Sequence, residues 1–173
     1  MARPYPYFPS FDGHGEKPIT TKLIELCGKR WKTASLGSYQ VRLMKNDHTV
    51  GMKLTDPEAG KWMSTHATGF AADVSVPIKN DAEREKVLTE IFDYFVKNSE
   101  DLRVSELHHY SYKDYGRGYR SSRGPGSKGV KVFTKDDNAG SYRAGGTVAN
   151  WIHIELEDQD VAHWEEVFRS LKP

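Results

Sequence analysis

Residues 64–76 read STHATGFAADVSV, a stretch in which a predicted turn leads directly into an alternating strand. The even-numbered residues from Phe70 to Val76 are apolar and point to one side of the predicted strand, whereas Ala71, Asp73 and Ser75 point to the other. Pro77 ends the strand. The apolar side predicts a core face, and the carboxylate of Asp73 is therefore expected on the face away from the core.

A second strand of the same kind is predicted at residues 151–157, WIHIELE. The aliphatic residues at 152, 154 and 156 face the core, and Trp151, His153 and Glu155 face the other way. Asp73 and His153 are thus both expected on the open face of one sheet, where two polar side chains suit a surface groove that binds a metal.

Apolar periodicity predicts three helices, at about 18–32, 81–98 and 158–171, the second beginning at Asn80 or Asp81. Further strands are predicted at 39–44, 103–112 and 130–133, and long loops at 45–65 and 113–129, the latter mobile. We therefore expect an α+β fold, a small antiparallel sheet with helices on one face and the other face open.

Length and composition predict one domain over residues 1–173, with an irregular proline-containing arm at about 1–16. The formal net charge is +1, which gives no overall reason to expect a nucleic-acid partner. No apolar run is long enough for a membrane span. The N-terminus is too broken by proline for a signal peptide, so synthesis in the cytoplasm without an export signal is expected.

Metal chemistry is predicted where the turn and the two strands meet. His66 precedes the first strand, Gly69 lets the backbone turn, and Asp73 lies within the strand, so an imidazole and a carboxylate converge. His153 on the last strand supplies a third ligand. Three protein ligands leave a fourth position open, as in a catalytic zinc site rather than a closed structural one.

The pattern S-x-H-x-x-G-x-A-x-D is matched at all five fixed positions, Ser64, His66, Gly69, Ala71 and Asp73. Together with a later W-x-H, it resembles the zinc D,D-peptidases of bacterial cell walls. That family includes D-Ala-D-Ala carboxypeptidases and dipeptidases and the L-alanyl-D-glutamate endopeptidases of phage lysins. The resemblance spans about residues 50–157. It implies the hedgehog/DD-peptidase fold, with Zn²⁺ held by His66, Asp73 and His153.

Two positions depart from the family pattern and bear on catalysis. The acid or histidine that acts as general base just before the last ligand is replaced by Asn150, whose amide cannot take a proton. An arginine that stabilises the oxyanion is replaced by Lys53, which supplies charge without a bidentate fork. Glu155 shares a strand face with His153, so it either acts as the base or hydrogen-bonds a metal ligand.

The resemblance therefore implies a zinc peptidase that hydrolyses peptidoglycan peptides, and the missing export signal favours a phage lysin or a virion-associated enzyme released to the cell wall. The alternative is a zinc-binding structural module of a phage particle, with other virion proteins as partners, which Asn150 and Lys53 favour. The basic, tyrosine-rich residues 113–131 offer a weaker nucleic-acid alternative. In the pair His108-His109, only one side chain can face the groove, and a structural or substrate-contact role is expected.

Overall fold

The structure, a computed structural model, describes residues 1–3, 15–45, 47–137 and 149–172. Its three helices confirm the predicted ones within a few residues. The regular elements are α1 (Pro18–Trp31), β1 (Ala34–Gly37), β2 (Ala71–Ser75), α2 (Asp81–Lys97), β3 (Val104–His109), β4 (Arg117–Arg120), β5 (Val130–Val132), β6 (Trp151–Leu156) and α3 (Val161–Ser170).

Helix starts follow the capping chemistry of the sequence. Asn80 caps α2 because its side chain accepts a hydrogen bond from the backbone N–H of Glu83, at 3.0 Å. Asp160 caps α3 in the same way. Pro18 occupies the first turn of α1, where its missing N–H costs no helical hydrogen bond.

The six strands form one antiparallel sheet in the order β1-β2-β6-β3-β4-β5. This confirms the α+β class and the antiparallel sheet. Strands β2 and β6 are distant in sequence but adjacent in the sheet, and their register places Asp73 directly opposite His153. On the other side of β6, His108 of β3 lies opposite His153.

The core lies between one face of the sheet and the three helices. Ala72 and Val74 of β2 and Ile152 and Ile154 of β6 are fully buried in it, as strand alternation predicts. They pack with aromatic and aliphatic side chains of the helices that include Leu23, Phe92, Phe95, Trp164 and Phe168. Burying this apolar surface drives the helices onto one face and leaves the other free for polar residues.

The strand predicted at 39–44 is wrong, and β1 lies a few residues earlier. A register shift between Ser35 and Gly37 interrupts the pairing with β2, and the chain then leaves the sheet. Residues 39–44 instead contact the segment before β2, through backbone hydrogen bonds such as that from the Gln40 N–H to the His66 carbonyl. These hydrogen bonds stabilise the segment that carries His66.

The mobile loop predicted at 113–129 is also wrong, because it contains β4 and two short 3₁₀ helices. Tyr119 is fully buried in the core. The Arg117 guanidinium lies over the rings of Phe92 and Tyr112, and it pairs with the Asp93 carboxylate at 3.0 Å. Arg117, one of the basic residues that suggested an anionic partner, therefore stabilises the fold.

Most of the predicted N-terminal arm, residues 4–14, lies outside the described residues. Arg3 is described, and its guanidinium donates to the carbonyls of Ser99 and Val104, at 2.9 Å each. Of the helices in the described ranges, none is both long and apolar enough to cross a bilayer.

Candidate metal centre

Three side chains that the sequence singled out come together on the face of the sheet opposite the helices. Ligand atoms of His66, Asp73 and His153 all lie within 4.8 Å of one another, close enough to hold one metal ion. Two imidazoles and one carboxylate form a donor set that suits zinc and related transition metals.

Local structure explains the position of each ligand. His66 lies in the 3₁₀ helix Thr65–Thr68, which ends at Gly69. Gly69 has φ of 79°, a left-handed conformation that suits glycine, and so the chain can turn directly into β2. Asp73 and His153 are cross-strand partners. Side chains of directly opposed residues lie on the same face, so the register brings this pair together.

The ring nitrogens of both histidines are arranged for metal binding. His66 Nε2 lies 3.4 Å from an oxygen of Asp73, and His153 Nδ1 lies 2.9 Å from the other. The opposite nitrogen of His66 donates to the Ser38 carbonyl at 3.3 Å, and His153 Nε2 donates to the Glu155 carboxylate at 2.9 Å. Such outer hydrogen bonds set the tautomer and leave the inner nitrogens available as ligands.

The charged groups at the centre shift one another's pKa values. Burial disfavours the charged form of His153, but its hydrogen bonds to Asp73 and Glu155 outweigh this and raise its pKa to about 10. Burial likewise opposes the charge of Asp73, yet the two histidines hold the pKa of that carboxyl well below its usual range. Without a metal, a protonated His153 therefore bridges two carboxylates near neutral pH.

Two further pairs of side chains on strands β6 and β3 flank the metal centre. On one side, Glu155 lies opposite Glu106, and on the other Trp151 and Tyr110 are adjacent. The Arg120 guanidinium binds both oxygens of Glu106, at 2.7 and 2.9 Å. Burial opposes the charge of Glu106, but hydrogen bonds and charges of His108 and Arg120 lower its pKa to about 2.

The predicted catalytic residues occupy different settings. Glu155 is buried and contacts His153, which is the second of the two roles predicted for it. The Asn150 carbonyl accepts a hydrogen bond from the Val76 N–H at 2.8 Å and so extends the pairing of β2 with β6. Lys53 lies in an exposed loop, where its backbone N–H donates to the Asp56 carboxylate at 2.8 Å. Their catalytic roles stay predictions.

The structure decides between the two adjacent histidines. His108 faces the metal centre, and its ring centroid lies 5.9 Å from that of His153. His109 is fully buried on the helical side. There, its Nε2 lies 3.0 Å from a Glu85 oxygen and its Nδ1 accepts from Arg117 Nε at 3.3 Å. His109 has the structural role.

Sequence reasoning missed Ser38 and Glu106, which act through the histidines. Ser38 contributes only a backbone carbonyl, so no side-chain pattern could reveal it. Glu106 is two residues before His108 on one strand, a spacing that places both on one face. That spacing was the available signal, but without the strand register it does not show that Glu106 lies beside Glu155.

Comparison with protein-family models, with curated proteins and with solved structures found no match for this chain. The resemblance to cell-wall peptidases therefore stays a prediction from the two motifs. The geometry of the centre itself is a group of two histidines and one aspartate that could hold a metal ion, on the face of an antiparallel sheet opposite the helices.

Proposed function

We propose that this chain is a zinc-dependent peptidase of the hedgehog/DD-peptidase fold that hydrolyses peptide bonds of bacterial peptidoglycan. The observation that carries the proposal is the convergence of His66, Asp73 and His153, with the outer nitrogen of each histidine held by a second partner. Ala71 and Ser75, which lie two residues from Asp73 on the same face of β2, are small and place no bulky side chain beside it.

In this proposal the residues hold the zinc ion, orient its histidine ligands and balance its charge. His66 and His153 offer ring nitrogens and Asp73 offers a carboxylate, while Ser38 and Glu155 fix the two rings. When bound, zinc supplies Lewis-acid polarisation of a carbonyl and activation of water. Glu155 is the nearest candidate for moving a proton, and Lys53 is the candidate for charge at the oxyanion. A lysin or virion-borne setting is part of the same proposal.

The test is release of new amino groups from purified peptidoglycan by the zinc-loaded protein. We expect release that stops with a chelator, returns with zinc and is lost in His66→Ala. His163→Ala, which removes an exposed histidine of α3, is the matched control and should behave as wild type. Elemental analysis should find one zinc per chain. Iron instead of zinc would contradict the proposal, because iron oxygenases use the same donor set.

A second candidate is a zinc-binding module without catalysis. Asn150 at the position of the family's acid favours it, as does the hydrogen bond that already engages Glu155 with His153. One zinc per chain together with no amino-group release under any condition would support this module. Failure to bind zinc at all would contradict both candidates.

Zinc binding should release about one proton per ion at pH 7. The raised pKa of His153, about 10, means that the metal-free ring is protonated there, and zinc needs its lone pair. Because the proton competes with the metal, zinc affinity should rise about tenfold per pH unit up to pH 10. Titration calorimetry in buffers of different ionisation enthalpy measures the proton count. No release would show that His153 is neutral in the metal-free protein.

Glu155→Gln should show whether Glu155 only orients the His153 ring or also transfers a proton. The amide can still accept from His153 but carries no charge, so zinc affinity should fall by roughly 10- to 100-fold. If Glu155 only orients the ring, turnover at saturating zinc should stay near wild type. If Glu155 is the base, turnover should fall by about 100-fold or more. Glu166→Gln, an exposed position on α3, controls for loss of a carboxylate.

A further inference from the structure

A row of partly exposed aromatic side chains runs beside the metal centre, on the face of the sheet opposite the helices. Trp151 and Tyr110 occupy adjacent positions on β6 and at the end of β3, with ring centroids 5.7 Å apart. The ring of His108 stacks against that of Tyr110 at 5.5 Å, with 21° between the ring planes. His108 is also the cross-strand neighbour of His153, so this row begins at the metal ligands.

Phe133 extends the row on its far side. A Cβ added at Gly118 would lie 2.6 Å from Cζ of Phe133, which shows that the phenyl ring lies directly over this glycine. The Phe133 ring centroid lies 5.7 Å from that of His108, and the Phe133 N–H donates to the Gly116 carbonyl at 3.0 Å. Trp151, Tyr110, His108 and Phe133, all partly exposed, together form what we call the aromatic strip.

The strip is preorganised by the carboxylate beside it. Glu106 accepts a hydrogen bond from His108 Nε2 at 2.9 Å, and Arg120 holds Glu106 in turn. The other ring nitrogen, Nδ1, is buried. His108 therefore offers ring carbon rather than a polar edge to the groove. A surface held in place before binding loses little conformational entropy when a ligand arrives.

We propose that the aromatic strip binds a sugar ring of a glycan-linked peptide whose scissile bond lies at the metal centre. The inference rests on the proposed function and names its substrate more closely. A hexose has an apolar face of C–H groups and a polar rim. Tryptophan and tyrosine match this because each has an apolar ring with an N–H or O–H at its edge. An alkyl side chain matches the ring faces but not such polar edges, so the combination suits a sugar.

Distance then limits which bond is cut. Trp151 is two residues from His153 on one strand face, so their Cα atoms are roughly 6.6 Å apart. An extended peptide advances about 3.3–3.6 Å per residue. A sugar on the strip would therefore lie about two residues from the bond at the metal.

Calorimetry with the zinc-loaded protein tests the inference. The probes are N-acetylmuramyl-L-alanyl-D-isoglutamine and the same dipeptide without its sugar. We expect the muramyl form to bind about tenfold more tightly, a difference in the range of one or two aromatic contacts. Trp151→Ala and Tyr110→Ala should each remove most of this difference, whereas Trp151→Phe should keep part of it. Tyr115→Ala, in the turn after β3, is the control and should change nothing.

Each titration is completed before hydrolysis is measurable, and intact probe at its end verifies this, so the outcomes report binding and not turnover. Equal binding of the two probes to wild type would overturn the inference. So would a dipeptide carrying an apolar side chain in place of the sugar that binds as tightly as the muramyl form. Sugar-dependent binding without amino-group release from peptidoglycan would support the strip and contradict the peptidase. One zinc per chain and an unchanged unfolding temperature in each variant would show that the variants fold.

Discussion

Asp73→Asn should abolish stoichiometric zinc binding and, with it, the release of amino groups from peptidoglycan. Asp73 is the shared partner of both histidines, at 3.4 Å from His66 Nε2 and 2.9 Å from His153 Nδ1. Its replacement by a neutral amide removes a charged ligand and the attraction that brings the two rings together. Loss of zinc affinity should exceed the roughly 10- to 100-fold typical of an outer hydrogen-bond partner.

The same substitution should lower the pKa of His153, because an amide oxygen carries no charge to stabilise the imidazolium. Zinc analysis after dialysis and an NMR titration of the histidines measure the two effects. Asp136→Asn, at an exposed position, is the matched control. Retention of one zinc per chain by Asp73→Asn would show that the aspartate is not a ligand.

Gly69→Ala should be strongly destabilising, by about 3 kcal/mol or more, and should also lower zinc affinity. Gly69 has φ of 79°, and an added Cβ would lie 2.2 Å from the Gly15 carbonyl oxygen, a backbone atom that cannot simply rotate away. The Lys17 N–H also donates to the Gly69 carbonyl at 3.2 Å. Gly69 ends the 3₁₀ helix that carries His66, so we expect relief of the clash to displace this ligand.

Gly51→Ala separates backbone strain from the steric clash, which are the two causes of the expected loss of stability in Gly69→Ala. Gly51 has φ of 77°, nearly the same conformation, but an added Cβ would meet nothing within 4 Å. It should therefore cost only the backbone strain, about 1–2 kcal/mol. Denaturant unfolding of both variants measures the difference. Equal losses would show that strain alone matters and that the chain at Gly15 gives way easily.

The fold was predictable where local pattern and tertiary environment agree. Strands β2 and β6 alternate strictly, and each buries one face against helices, so period-two patterning gave their orientation. Helix α2 has an apolar stripe and an asparagine cap, which placed its start at the observed residue. Residues 39–44 show the opposite case. Their alternation is real, but the shift at Gly37 takes them away from the sheet.

Residues 113–129 show a different limit. Glycine and basic residues predicted a mobile loop, because both are typical of solvated segments. Instead, Arg117 is held between two aromatic rings and an acid that come from α2 and the β3–β4 turn. These contacts of Arg117 are made with residues distant in the chain, which cannot be predicted from local composition.

At the site, His66, Asp73 and His153 were identified from the sequence alone. The motif spacing places His66 on a turn and Asp73 on the following strand. Strand alternation directs His153 away from the core. Tertiary structure alone decided the rest. The β2–β6–β3 register sets Asp73, His153 and His108 in one row, joins Glu155 to His153, and brings Trp151 against Tyr110. The physical reason is that strand alternation is local, whereas register arises from pairing strands distant in sequence. The candidate ligands can therefore be read from the chain, but their neighbours can be read only from the folded sheet.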